Sequence, residues 1–315
     1  MVLISFLAAF GATGGLLAAG LLPQDHPKPR SSHTLPTPRG GGIAIVLGFA
    51  LASLGLGAMG FVPKQALIAV LGGGLAVAAV GLLDDLGHVP ILIRLSAHVG
   101  AAIWGLAWAT QGFELYLVVA GLVLVWLVNL YNFMDGIDGL AAVEALTVAI
   151  SAAWILAGVG YAGFSFWLLG LAAAAGGFLC WNWPPARVFM GDVGSGFLGF
   201  ALGMLAWVTS QVQAITLWSW AILLAVFVTD ATLTLLWRMA TGQKFWQAHR
   251  SHAYQHLAAR CGHLKVSSAA AAINVFWLLP LAWAAARFPQ AGGALTGLAY
   301  APLVWLAHWA RAGRT

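Results

Sequence analysis

The chain has 315 residues, of which 61% are hydrophobic and only 7% are charged, and its mean hydropathy is +0.90. A soluble domain is typically about a quarter charged, so these values exclude that class and indicate an integral membrane protein. Fourteen Lys and Arg against nine Asp and Glu give a net charge of +5. In a membrane chain a basic excess is typical of cytoplasmic loops, so we expect no nucleic-acid partner.

Apolar segments separated by polar clusters predict about eleven membrane-spanning helices. A helix needs about 20 apolar residues to cross a bilayer. Segments of this kind lie at 2–22, 42–61, 66–83, 91–110, 114–131, 139–158, 163–183, 195–210, 213–237, 269–287 and 292–310. We therefore expect an all-α polytopic bundle of about 10–11 transmembrane helices, with residues 1–315 forming a single integral-membrane domain.

The charged residues predict an orientation and the side on which a site lies. If the first segment is a retained helix with the N-terminus outside, every Lys and Arg except Lys64 and Arg287 falls on or beside the cytoplasmic side, as the positive-inside rule requires. Every Asp and Glu except Glu114 lies at or near that same side. Because the rule does not govern acidic residues, we expect a site on the cytoplasmic face that needs carboxylates.

Adjacent carboxylates, Asp84 and Asp85, end the third segment. They repel each other unless a cation or a proton lies between them, and the C-terminal end of a helix disfavours negative charge. Raised pKa values or a bound divalent ion would resolve this conflict. A solvated helix end is the plainer alternative.

Asn129, Asn132, Asp135 and Asp138 follow one another at steps of three residues at the end of the fifth segment. On a helix this spacing keeps side chains close to one face, and the two Asp-Gly pairs break the helix and let the backbone approach a ligand. Carboxylates and amides together suit a nucleotide or a hydrated cation. A capped loop is the simpler interpretation.

Two glycine-rich stretches precede apolar segments. Asp192 lies in the first, Met-Gly-Asp-Val-Gly-Ser, which has no Lys and so is not a P-loop. A single carboxylate among glycines fits a ligand of Mg²⁺ beside a phosphate. Arg39 lies in the second, followed by three glycines, and we expect it to contact a phosphate or a lipid headgroup.

The longest inner loop is basic and contains Arg250, His252 and His256. Beside the carboxylates of the same face, this loop indicates an anion held between cations and a metal. A solvated loop that only follows the positive-inside rule is the alternative. Asp230, near membrane depth, is a candidate for function or for pairing helices.

Together these motifs resemble the polyprenyl-phosphate N-acetylhexosamine-1-phosphate transferases, and the closest resemblance is to the subgroup that acts in bacterial surface-polysaccharide synthesis. The match runs in the family's order through most of the chain. It comprises Arg30 to His33 with Pro36 to Gly42, then Asp84-Asp85, Asn129 to Leu140, Met190 to Ser195, and Arg250 to His252. One departure is that Ala253, Tyr254 and Gln255 separate His252 from His256, where the family often has a run of histidines.

The resemblance implies that undecaprenyl phosphate attacks the β-phosphorus of a UDP-N-acetylhexosamine and releases UMP, as the first membrane step of surface-polysaccharide (O-antigen, lipopolysaccharide) synthesis. It implies Mg²⁺, with Mn²⁺ as a substitute, a multi-pass location in the bacterial inner membrane among membrane lipid, and room for a homodimer. The donor is UDP-GlcNAc or a relative such as UDP-GalNAc or UDP-N-acetylfucosamine.

Carried over to this chain, the resemblance assigns a role to each candidate residue. Asp192 and Asn132 are expected to hold the metal and the pyrophosphate. Asp84 and Asp85 are expected at the lipid phosphate, together with Asp192 as the catalytic set. The substrate-binding set is Arg39, Asn129, Asn132, Asp135, Asp138, Arg250, His252 and His256. A cation-coupled transporter is the rival interpretation, because acids within a membrane often mark ion pathways.

Overall fold

The computed structural model describes residues 1–27, 35–110, 112, 114–244, 247 and 249–314. The motif from Arg30 to His33 lies outside this described part. Within it the chain is almost entirely helical. The helices are α1 Val2–Ala18, α2 Ile43–Ala58, α3 Lys64–Leu67, α4 Gly73–Leu86, α5 Ile91–Ala109, α6 Tyr116–Met134, α7 Leu140–Gly158, α8 Ala162–Asn182, α9 Gly191–Gln211, α10 Leu217–Leu223, α11 Ala225–Ala240, α12 Ala253–Cys261, α13 His263–Ile273, α14 Leu279–Arg287 and α15 Gly292–Trp309.

Short irregular pieces join some of these helices. A π-helical turn, Ile68–Gly72, connects α3 to α4, and a second, Asn274–Leu278, connects α13 to α14. Two short strands, β1 Gln24–Asp25 and β2 Thr37–Pro38, pair in antiparallel fashion. The strands lie at the entrance to α2.

The prediction of a polytopic all-α membrane protein is confirmed, and each predicted segment contains a helix. Seven helices in the described residues are long and apolar enough to span a membrane, or eight when α10 and α11, bent by 74° at their junction, are taken as one span. Two further apolar helices, α1 and α2, are shorter, with 17 and 16 residues. The expected count of about 10–11 is therefore higher than the number that meet the length requirement, and the orientation stays a prediction.

Helix α9 is the centre of the bundle. In the 18-residue apolar stretch of α9, 94% of the residues are buried, compared with 22% in that of α5. Helix α9 contacts α2, α4, α5, α6 and α7. Glycines on α9 allow this close packing, because a β-carbon at Gly199 would lie 2.5 Å from the Leu127 carbonyl oxygen of α6. Small residues at helix interfaces are typical of membrane bundles, where close backbone approach replaces the hydrophobic effect.

The ends of several helices meet at one end of the bundle. Gly81 of α4 lies against the backbone of Asp192 at the start of α9, so that no β-carbon fits there. Gly42, just before α2, lies equally close to Gly194. These contacts bring the C-terminal end of α4 and the entrance of α2 to the N-terminal end of α9, where the candidate site lies.

Candidate active site

The segment that carries Arg39 runs beside the segment that precedes α9. Arg39 forms a parallel β-bridge with Phe189, and the Gly41 and Gly42 amides donate hydrogen bonds to the Phe189 and Met190 carbonyls over 3.0 and 2.9 Å. A β-carbon at Gly41 would meet Val188 and Phe178. The glycines after Arg39 are therefore required for the backbone contact that brings Arg39 to Asp192.

Asp85 holds the first turn of α9. Its carboxylate oxygens accept hydrogen bonds from the backbone amides of Asp192 and Val193, each over 3.0 Å. Arg39 Nε donates to Asp85 Oδ1 over 2.6 Å, and the Asp85 side chain is fully buried. The first amides of a helix have no partner within the helix, and the macrodipole favours an anion there. The unfavourable position of Asp85 at the end of α4 is thus offset by the start of α9.

Asp192 lies between two arginines. Its Oδ1 is 3.3 Å from Arg39 Nη2, and its Oδ2 is 2.9 Å from Arg94 Nη1. Arg94 Nη1 is also 2.9 Å from Asp84 Oδ2, while Asp84 Oδ1 accepts from the Val89 amide over 2.9 Å. One network therefore joins the three aspartates of the predicted catalytic set.

Arg94 was missed as a site residue by the sequence analysis. It lies in the first turn of α5, where the helix dipole disfavours a cation, ten residues after Asp84. A basic residue at such a position, close to two carboxylates, was the signal that could have identified it.

The Arg39 guanidinium is stabilised in its charged form by the same network. Burial lowers the pKa of Arg39, but the charges of Asp85 and Asp192 outweigh burial and raise the pKa above its ordinary value.

A narrow cleft of about 40 Å³ that opens to solvent adjoins this network between α4, α5, α6 and α9. Five polar side chains line the cleft. Asn129, Asn132 and Asp192 were predicted from the sequence, and Arg94 and His98 were not. Neither Asp84 nor Asp85 lines it. Valines, glycines and Phe133 complete the wall, so the cleft combines polar and apolar groups.

Helix α6 ends at Met134, so that Asn129 and Asn132 are helical and Asp135 and Asp138 lie in the following loop. Asp135 is half-buried, and burial together with the negative charges of Asp192 and Asp85 raises its pKa well above the ordinary value. Asp135 therefore belongs electrostatically to the network of Asp85 and Asp192. Asn129 Nδ2 donates within its own helix to the Val125 carbonyl over 2.7 Å.

Asp138 faces away from this network, towards the loop that precedes α9. Its Oδ2 accepts from the Ala186 amide over 3.1 Å and lies 3.2 Å from His263 Nδ1. Asn182, which the sequence analysis did not single out, accepts from the Gly139 amide and donates to the Val188 carbonyl. Asp138 and Asn182 thus tie the loop that contains Asp135 to the loop that precedes α9 and Asp192.

Asp230 anchors the basic loop. It accepts from the amides of Ala253 and Tyr254 over 2.9 and 2.8 Å, and His252 Nδ1 lies 3.2 Å from its Oδ1. Asp230 thus caps α12, orients the His252 ring and pairs two helical segments, while a functional role of Asp230 stays a prediction.

Tyr254 fixes α12 against the end of α6. Its hydroxyl donates to the Phe133 carbonyl over 2.9 Å, and a β-carbon at Gly136 would occupy the position of that hydroxyl. The His252 ring lies 6.3 Å from the Phe133 ring, centroid to centroid. Because Phe133 lines the cleft, this docking places His252 beside it.

The remaining loop residues are less close to the carboxylates. Arg250 is exposed, and His256 Nε2 lies 3.1 Å from the Arg314 carbonyl oxygen, at the C-terminal segment. Burial, with the positive charges of His252 and Arg238, lowers the pKa of His249 to about 4. The structure therefore places the His252 ring next to Phe133 of the cleft wall, whereas His256 contacts the C-terminal segment.

The donor groups at the cleft fit a magnesium ion that a substrate phosphate helps to hold. No cluster of three or more His, Cys, Asp or Glu side chains in the described residues forms a ready-made metal site. Mg²⁺ usually takes only one or two carboxylates and completes its shell with water and phosphates. Among the described residues the carboxyl groups of Asp84, Asp85 and Asp192 face two guanidinium groups, those of Arg39 and Arg94, so a bound cation would also improve the charge balance.

The fold and this site define a polytopic helical membrane protein with a carboxylate and arginine centre at one end of its bundle. Residues 67–210 match the model of glycosyl transferase family 4. A probable undecaprenyl-phosphate N-acetylglucosaminyl 1-phosphate transferase of Bacillus subtilis is 30% identical over 253 residues, 75% of this chain and 69% of the relative. Decaprenyl-phosphate N-acetylglucosaminephosphotransferase of Mycobacterium tuberculosis is 32% identical over 64% of this chain and 57% of its own length. Phospho-N-acetylmuramoyl-pentapeptide-transferase of Moorella thermoacetica is 33% identical over 55% and 61%.

The chain therefore belongs to glycosyl transferase family 4, and within it to the polyprenyl-phosphate N-acetylhexosamine-1-phosphate transferases. The resemblance stated from the motifs is confirmed. The transporter interpretation gains no support from these matches or from the gathering of the carboxylates at one end of the bundle.

Proposed function

We propose that the protein transfers N-acetylhexosamine 1-phosphate from a UDP-sugar to undecaprenyl phosphate in the bacterial inner membrane, at the start of a surface polysaccharide. The observation that carries the proposal is the position of Asp192, between Arg39 and Arg94 at the wall of a cleft lined by both polar and apolar groups. Such a cleft suits an acceptor whose phosphate is charged and whose chain lies in lipid. The names of the relatives support UDP-GlcNAc as the donor.

In the proposed reaction an oxygen of the lipid phosphate forms a bond to the β-phosphorus of the UDP-sugar. The bond from that phosphorus to the oxygen bridging the two phosphates breaks, and UMP leaves with the electron pair. A phosphate monoester has a second pKa of about 6, so the nucleophile needs little help from a base. The protein has mainly to orient two anions and to neutralise their charge.

The residues of the cleft would divide this task. Arg39 and Arg94 are free to exchange their carboxylate partners for phosphate oxygens, because each is partly exposed, at 28% and 31% of the side chain. Asp192 and Asn132 would hold Mg²⁺, which supplies neutralisation of the diphosphate when bound. His252 would contact the sugar diphosphate from the opposite side, since Asp230 and Tyr254 hold it beside Phe133.

The test is release of UMP by purified protein in lipid nanodiscs. The protein is given undecaprenyl phosphate, Mg²⁺ and, in turn, UDP-GlcNAc, UDP-GalNAc and UDP-N-acetylfucosamine. We expect UMP with UDP-GlcNAc, loss of UMP on chelation, and loss in Asp192→Asn but not in Glu114→Gln, a carboxyl far from the site. If no UDP-sugar gives UMP, the proposed transferase activity is wrong. If UMP release continues after chelation, the proposed role of Mg²⁺ is wrong.

A further inference from the structure

A second polar cluster lies inside the bundle, apart from the candidate active site. Glu144 of α7 is fully buried, and no Lys, Arg or His of the described residues forms an ion pair with it. Its Oε2 accepts from Asn274 Nδ2 over 2.7 Å, whereas its Oε1 has no partner. A carboxylate isolated in this way within a membrane protein is costly unless a counter-charge accompanies it.

Two further oxygens near Glu144 lack a hydrogen-bond partner. Asn274 Oδ1 and the Tyr131 hydroxyl are buried and make no hydrogen bond. The Glu144 carboxyl interacts electrostatically with the Tyr131 and Tyr300 hydroxyls, and the Tyr300 hydroxyl donates to the Ala221 carbonyl over 2.9 Å. These four side chains, from α6, α7, α15 and the second π-helical turn, are the Glu144 cluster.

The backbone is irregular at the same place. The Glu144 cluster contacts the junction of α10 and α11, where the span bends by 74°, and Asn274 begins a π-helical turn. Both features pack against α7. Broken helices and π-turns within membranes commonly line binding sites, because the backbone groups that they free need partners.

Two groups next to the Glu144 carboxyl partly offset the cost of its charge. Asn274 Nδ2 donates to Oε2, and the backbone of Phe227, in the first turn of α11, also interacts favourably with the ionised carboxyl. Hydrogen bonds donated to a carboxylate and the positive end of a helix both stabilise the anion. Complete burial acts in the opposite direction and disfavours the charge, so an ionised Glu144 needs a bound cation.

We propose that the Glu144 cluster binds one sodium ion inside the bundle. The carboxylate, the amide oxygen and the two hydroxyls are hard oxygen ligands, which suit a hard cation. With the Glu144 carboxyl ionised on binding, the cluster carries one negative charge, so a monovalent ion leaves it neutral, whereas a divalent ion would leave a buried positive charge. The proposal is independent of the transferase reaction.

The test measures the thermal unfolding of purified protein through the fluorescence of its 16 tryptophans and the binding of ²²Na⁺. NaCl is exchanged for choline chloride at constant ionic strength. A ligand that binds only the folded state stabilises it in proportion to the logarithm of its concentration. We expect the wild-type midpoint to rise by about 2 °C for each tenfold increase in NaCl above the dissociation constant, with one ²²Na⁺ bound.

Variants test whether the sodium ion binds at the Glu144 cluster. Glu144→Gln should abolish both signals, and Glu114→Gln, at the only other glutamate, should keep them. Should Glu144→Gln fail to fold, Tyr131→Phe, which removes one ligand, should require at least about tenfold more NaCl for the same shift. A midpoint that follows pH but not Na⁺ would mean a protonated carboxyl, and no dependence on either would mean buried water. Each of these results, or an unaltered response in Tyr131→Phe, would overturn the sodium site.

Discussion

The Asp192 backbone amide donates a hydrogen bond to Asp85 Oδ1 over 3.0 Å, so the end of one membrane helix caps the start of another. Asp85 makes this contact with a fully buried side chain, whereas 13% of the Asp84 side chain is exposed. The two adjacent carboxylates therefore differ in role: Asp85 positions α9 and Arg39, and Asp84 is held by Arg94 nearer to solvent.

This difference predicts unequal effects of removing each charge. In Asp85→Asn one of the two α9 amides would face the Asn NH₂ group, donor against donor, and Arg39 would lose the charge of the nearer of its two carboxylate partners. We expect a loss of about 3 kcal/mol of stability. In Asp84→Asn the amide oxygen can still accept from Val89, so we expect a loss of about 1 kcal/mol or less. Denaturation of both variants in the same detergent measures the difference, and equal losses would contradict it.

Gly191 provides a second prediction. Its φ is +75°, and a β-carbon there would meet the Asp85 carboxylate. We expect Gly191→Ala to reduce stability by at least about 1 kcal/mol from backbone strain alone and to reduce UMP release by displacing Asp85. The control is Gly100→Ala on α5, where nothing lies within 4 Å of the added carbon. If both variants behave like the wild type, the close contact is not required.

Arg94 should be needed for turnover. Without it, Asp84 and Asp192 lose the cation that they share, and the proposed phosphate contact disappears. We expect Arg94→Met to lower kcat/KM by about 10²-fold while the protein still elutes as a folded species. Arg287→Met, at a guanidinium stacked on Trp283, is the matched control. Full activity of Arg94→Met would remove Arg94 from the site.

Asp230 should act on catalysis through His252. Asp230→Asn loosens the amides that start α12 and frees the His252 ring, so its effect on kcat/KM should not add to that of His252→Ala. Residues of one network typically couple by about 0.5–3 kcal/mol. The control is Thr232→Val, at a residue of α11 that, like Asp230, lies on that helix and accepts a hydrogen bond from Trp126. Its effect on kcat/KM should add to that of His252→Ala. Additive losses for Asp230 and His252 would mean that the two act separately.

The helices were predictable from the sequence because apolar runs and polar breaks mark them directly. The boundaries next to the site were not. Helix α9 begins at Gly191, four residues before the predicted start, because its first amides are satisfied by Asp85 from another helix. Helix α13 begins at His263 rather than 269, within the basic loop. In both cases a tertiary contact or a polar helical turn replaced the apolar signal on which the prediction depended.

The candidate site was predictable in part. Asp84, Asp85, Asp192 and Arg39 form one network, as expected of residues gathered on one face. Asp138 lies outside this network, because α6 ends at Met134 and spacing by three no longer keeps residues on one face. His256 also lies outside it, since its ring contacts the Arg314 carbonyl oxygen. Arg94 and Asn182 carry no motif, and their importance follows only from which helix ends meet.

Helix α5 is the least buried of the spans, although it supplies Arg94 to the site. Most of its outer surface consists of exposed leucine, isoleucine, valine and tryptophan side chains, among them Leu92, Ile103 and Trp108. Its height and tilt therefore depend on the hydrocarbon thickness around it, since a spanning helix adjusts to mismatch by tilting. We therefore expect the bilayer thickness to change the distances from Arg94 to the carboxylates of Asp84 and Asp192, and turnover to vary with acyl-chain length even when every residue of the protein is unchanged.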